Sequence, residues 1–193
     1  MSHLVRIDWQ DSLTSDRNRL VRAGICEYCM CIMNKFMHNT RVTCGCLYVI
    51  HNLSQCSNSA MQIKLREVGA IEGIMTAINS NCLVSNHFNI SIALSAIMAT
   101  NALTDWCGND LTVIRDTVDI FVRLGMCEVL LDLLEKYSSD AEIKYDWIED
   151  EVSDEESLLD HGQSVIRNLA YGNPVYRKRL AKLGAGNWLP ELF

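Results

Sequence analysis

Prolines are nearly missing from this sequence, two in 193 residues, and glycines number ten. A fold of many short strands needs more turn residues than that, so a loop-rich all-β architecture is excluded and helices are favoured. No run of about 18 apolar residues occurs, so no segment reads as a membrane span. Residues 1–10, MSHLVRIDWQ, lack the apolar centre of a secretory signal. A nucleophile elbow, a phosphate loop and a His-Glu-x-x-His pair are all missing. The chain is therefore expected not to be an enzyme and to need no cofactor. A basic stripe is wanting too: the net charge is −7, so no nucleic-acid partner is expected.

What is present suits one buried core. The chain is 49% hydrophobic, with a mean hydropathy of +0.04, and reads as a single domain over 1–193. Nine cysteines, an odd count with no export signal, point to a reducing compartment: the cytoplasm, with the nucleus as the alternative. The triplets at Asn52 and Asn89 match the glycosylation acceptor pattern, which carries no meaning in that compartment. Ten acids and one base, Lys144, fall between Ser138 and Asp160. That stretch carries the whole negative excess.

The chain also repeats itself. Residues 163–186, QSVIRNLAYGNPVYRKRLAKLGAG, read as a helix end, a Gly-Asn-Pro turn, a short basic helix and a glycine corner. Similar corners fall at Gly24, Gly69 and Gly125, at a period that belongs to stacked helical repeats. Four residues before each corner stand Leu20, Leu65, Phe121 and Leu180; one before stand Ala23, Val68, Leu124 and Leu183. The helix after each corner carries a matching apolar stripe: Cys26, Cys29, Met30, Met33; then Ile71, Ile74, Met75, Ile78; then Cys127, Leu130, Leu131, Leu134. Offsets of 0, 3, 4 and 7 describe one buried face. A third helix closes each unit, with Val42, Cys46, Val49, Ile50 and Leu53 in the first copy and Leu158, Gly162, Val165, Ile166 and Leu169 in the third. The middle copy, about 88–103, is helical by pattern but ambiguous in register, and 4–13 reads as the tail of a preceding third helix. The units are a partial one at 1–14, full ones at 15–56, 57–109 and 110–172, and a partial one at 173–193. Inserts are expected at 104–116 and, acidic, at 138–157.

The stretches CLYVIHNLSQCSN with REVGAIEGIMTAI, and QSVIRNLAYGNP with AKLGAG, resemble the armadillo repeat. The resemblance implies an all-α, right-handed armadillo-type α-solenoid of about three full repeats plus partial end repeats. It further implies that the third helices line a concave groove, where an asparagine hydrogen-bonds an extended peptide. Asn52 and Asn168 match that asparagine, with Asn101 or Thr100 as the middle candidate. An amide both donates and accepts, as a peptide bond demands. The expected groove residues are Tyr48, Asn52, Gln55, Asn101, Ser164, Asn168 and Tyr171. Importin-type members place a tryptophan one turn before the asparagine. Here Tyr48 and Ser164 stand in that place, which favours scaffold or adaptor duty over nuclear-signal recognition.

The partner expected is thus a protein or peptide, bound without catalysis. A structural role, with open repeat ends pairing into a homo-oligomer, is the alternative. The acidic insert has three readings: a solvated linker, a docking segment for a basic partner, or a strap folded back onto the chain. Its candidate residues are Asp146, Trp147, Glu149, Asp150 and Glu151. Cys26, Cys29, Cys31, Cys44 and Cys46 with His38 and His51 could suggest zinc. Cys26 and Cys29, however, align with Ile71 and Ile74, so they read as core and no metal is expected.

Overall fold

The computed structural model describes residues 19–55, 59–83, 89–106, 110–139 and 154–193, and every regular element among them is helical. The partial unit at 1–14 lies outside the described residues, as do Asp146, Trp147, Glu149, Asp150 and Glu151 of the acidic stretch. After a short helical piece at 19–22 come α1 (Ile25–Lys35), α2 (Thr40–Ser54), α3 (Ser59–Glu67) and α4 (Ala70–Ile78). A π-helical turn, Asn79–Leu83, extends α4; then follow α5 (Ile90–Thr104), α6 (Leu111–Arg123), α7 (Met126–Ser139), α8 (Asp154–Ala170) and α9 (Pro174–Lys182). Two 3₁₀ turns, Ala185–Asn187 and Pro190–Leu192, end the chain. The protein is all-α.

Each expected corner is made by a glycine in the left-handed region, with φ of 85°, 81°, 90° and 91° at Gly24, Gly69, Gly125 and Gly184. A side chain there would strain the backbone, which is why glycine recurs. Each glycine serves two helices. Its N–H closes the helix before it, as from Gly69 to Arg66 O (3.1 Å), and at the first three its carbonyl opens the helix after it, as for Gly73 N (3.0 Å). Three residues past the first three corners stand Glu27, Glu72 and Glu128, in the first helical turn where a carboxylate offsets the macrodipole.

All twelve stripe residues of α1, α4 and α7 are buried. Of the positions four before a corner, Leu65, Phe121 and Leu180 are buried, while Leu20 is exposed. Leu124 and Leu183, one before the corner, are exposed as well, because the chain has already begun to turn there.

Like elements lie on like. α2 packs along α5 and α5 along α8, the two most extensive helix pairs; α4 packs on α1, its π turn on α7, and α3 on α6. Close approach depends on glycines: a methyl group at Gly73 would collide with Met30 and Met33, and one at Gly162 would fall 2.7 Å from Leu134 Cδ2. Two ion pairs repeat the same register. Glu27 meets Lys64 (2.5 Å) and Glu128 meets Arg179 (2.7 Å). In both, an acid three residues after one corner pairs with a base five residues before the next like-placed corner.

One expectation is corrected. Residues 111–116, expected inside an insert, are the first turns of α6, which Asp110 caps by accepting from Thr112 N at 2.8 Å. The acidic insert is helical at both borders, since α7 continues to Ser139 and α8 begins at Asp154. No helix among the described residues is long and apolar enough to cross a membrane.

Candidate functional site

The third helices α2, α5 and α8 lie side by side, and their caps fix their register. Asn39 accepts from Val42 N (3.1 Å) and Asn89 from Ile92 N (3.2 Å), each opening a 15-residue helix. Asn89 Nδ2 also donates to Thr40 Oγ1 at 2.9 Å, tying the two starts together. Counting from these caps, Ala102 rather than Asn101 takes the place of Asn52, and Asn101 takes that of His51. Burial agrees: Leu53 and Leu103 are both buried, one residue further on.

The expected residues fall into two groups. In the first, Tyr48 is 59% exposed and its ring stacks on His51 with centroids 6.1 Å apart. His51 Nδ1 lies 3.1 Å from Met98 O, and its Nε2 lies 2.8 Å from Gln55 Nε2. A ring protonated on Nδ1 alone satisfies both contacts. Asn52 Nδ2 donates to Tyr48 O, one turn back on its own helix, at 2.9 Å.

In the second group, Asn168 Nδ2 reaches across to α5, donating to Asn101 Oδ1 (3.0 Å) and Thr104 Oγ1 (3.2 Å). With its oxygen so engaged, Asn101 turns its Nδ2 toward His161 Nδ1, 3.3 Å away. That nitrogen must then accept, so His161 is neutral. Burial holds its pKa below the ordinary histidine value; a positive charge on the nearby His51 would lower it further, and Asp160 opposes both. Ser164 Oγ donates to Asp160 O (2.9 Å) on its own helix. Tyr171 stands just beyond α8, 60% exposed.

Trp106 was not anticipated from the sequence. Its indole N–H donates to Asn168 O at 3.1 Å, closing the end of α8, and its ring lies 4.8 Å from that of Tyr171. The two rings wall a cleft of about 140 Å³, completed by Leu111, Arg115, Gly172 and Asn173. The only available signal was an aromatic residue in TDWCGND, a stretch that reads as an insert.

A larger hollow, about 450 Å³, lies among the first helices α3, α6 and α9. Its polar groups are turned on one another: Arg66 meets Asp116 (3.4 Å) and Tyr176 donates to Asp119 (2.7 Å). Three of the five clustered cysteines of the first unit are core, while Cys31 is exposed and Cys44 half-buried. Cys26, Cys29 and Cys46 are buried, Cys29 Sγ donates to Cys46 O (3.3 Å), and burial pushes all three thiols above their ordinary range. No protein-family model, curated protein or solved structure matches the chain.

Proposed function

We propose that the chain is an armadillo-type α-solenoid, a right-handed superhelix whose third helices α2, α5 and α8 bind an extended segment of another protein without catalysis. The observation that carries this reading is the side-by-side packing of those helices under one broad, largely uncharged face. Gly45, Tyr48 and Asn52 on α2, Ser95, Met98 and Asn101 on α5, and Ser164 and Asn168 on α8 all stay exposed or half-buried there. Amides and hydroxyls in a row match the alternating donors and acceptors of an extended backbone. The cysteines described are all free thiols, which suits a cytoplasmic adaptor.

Selection from a displayed library of random extended peptides tests the reading. Gly45→Arg is the blocking variant: an added Cβ there meets no atom within 4 Å, so the arginine projects over the face without strain. Arg177→Glu, on exposed α9, is the control. Wild type and control are expected to bind the selected peptides, and the blocked variant to lose them. No enrichment by wild type, or equal binding by Gly45→Arg, contradicts the reading.

One observation favours self-assembly as a second reading. Tyr28 and Ile32 on α1 and Phe36 just after it form a stripe, exposed by 67%, 42% and 45%. Apolar surface of that kind suits pairing with a second copy. Light scattering across a concentration series decides: a monomer throughout removes this reading.

A further inference from the structure

We propose that the cleft walled by the Trp106–Tyr171 ring pair is a specificity pocket at one end of the third-helix face. It holds the ring of an aromatic residue that has an acidic neighbour in the bound segment. The inference rests on the peptide-binding reading and names the sequence that the face prefers.

The cleft is built rather than incidental. Trp106 is fixed by its hydrogen bond to Asn168 O, so one wall is set by the same residue whose amide joins α8 to α5. Tyr171 packs against the indole, its ring 4.8 Å away and tilted by 47°, so the two aromatics form one continuous wall. An entering ring lies alongside this pair, in the face-and-edge contacts that aromatic clusters favour. Leu111, 59% exposed, supplies an aliphatic side that a buried ring would cover. The volume, about 140 Å³, is on the scale of one side chain.

Charge defines the neighbour. Arg115 is the one charged residue in the lining, and no carboxylate among the described residues pairs with it. The adjacent Asp116 is taken by Arg66. A guanidinium at the rim of an aromatic cleft is matched by a carboxylate held beside the ring, through paired N–H donors. Because the proposed ligand runs through the face, that carboxylate is assigned to an Asp or Glu side chain and not to a chain terminus.

The test uses two capped dipeptides, acetyl-Glu-Phe-amide and acetyl-Gln-Phe-amide, titrated to about 10 mM, the range in which ligands this small bind. The readout is the indole N–H resonance of Trp106, assigned by its loss in Trp106→Phe. The Glu peptide is expected to shift that signal and to bind about 3-fold tighter than the Gln peptide, the scale of one exposed ion pair. Arg115→Gln should erase the preference while leaving the shift. Leu111→Ser, at an exposed position, should weaken both peptides. No shift with either peptide, or a preference that survives Arg115→Gln, overturns the pocket. Peptides selected on the whole face and lost in Gly45→Arg would still stand in that case, so failure of the pocket is distinct from failure of the groove.

Discussion

Asn52 and Asn168 hold the same place on their helices and do different work. Asn168 reaches the preceding third helix, binding Asn101 and Thr104, while Asn52 folds back onto Tyr48 O of its own helix. α8 has α5 beside it with two polar side chains in reach, whereas among the described residues the Asn52 amide is bonded only within its own helix. One amide therefore joins two helices; the other braces a single turn. Identical residues at equivalent repeat positions are equivalent only where the neighbouring units are too.

The largest test of that contrast is at the aromatics beside the two amides. Trp106→Ala removes a hydrogen bond to Asn168 O and the packing against Tyr171, and should cost about 2–3 kcal/mol. Tyr48→Ala, at a mostly exposed ring, should cost about 0.5 kcal/mol or less. Urea unfolding at neutral pH measures both, and equal losses would erase the distinction. The amides come next. Asn168→Ala strips two inter-helix bonds and leaves Asn101 half-satisfied, for about 1–2 kcal/mol. Asn52→Ala should stay within about 0.5 kcal/mol, since alanine's helix preference offsets a bond within one helix.

These contrasts could not be read from the sequence, though much of the frame could. The stripes of α1, α4 and α7 were legible because each helix has one buried and one wet side. α5 was not, for a physical reason: it lies between α2 and α8, and Ile92, Ala93, Ala96, Ile97, Ala99 and Leu103 bury nearly all around it. A helix covered on both sides keeps only a narrow, exposed to half-buried strip (Ser91, Ser95, Met98, Asn101) to set its phase, so Asn101 was placed one residue out of register. Trp106 lay in an apparent insert. The π turn at Asn79–Leu83 has no sequence signal of its own; it is held from outside, by Asn81 donating to Met37 O (3.3 Å) and Lys136 to Cys82 O (2.8 Å). The Glu27–Lys64 and Glu128–Arg179 pairs did leave a trace, an acid at a fixed step after one corner and a base at a fixed step before another. The middle unit breaks the pattern with Ile120 in the base's place.

The smallest effect is in pH. The folded protein lowers the pKa of His161, so the unfolded chain takes up a proton first as pH falls. The stability contributed is complete above the unfolded histidine value, about 6.5, and is lost as pH drops from there toward the lower folded value. Protonating Nδ1 also sets donor against donor at Asn101, which uncouples the relay to Asn168. His161→Gln should flatten stability between about pH 7 and 5, whereas His51→Gln should not remove the His161 transition. A wild-type profile already flat in that window counts against the neutral His161 assignment.

The most direct test of the account follows the side-chain amides of Asn52, Asn101 and Asn168 and the tryptophan indoles by NMR while a library-selected peptide is added. Shifts in those amides and in Trp106, with Trp188 and the residues of α1 and α3 unmoved, are what a third-helix binding face predicts. Shifts confined to α1, α3 or α6, with the three asparagines unchanged, would contradict it.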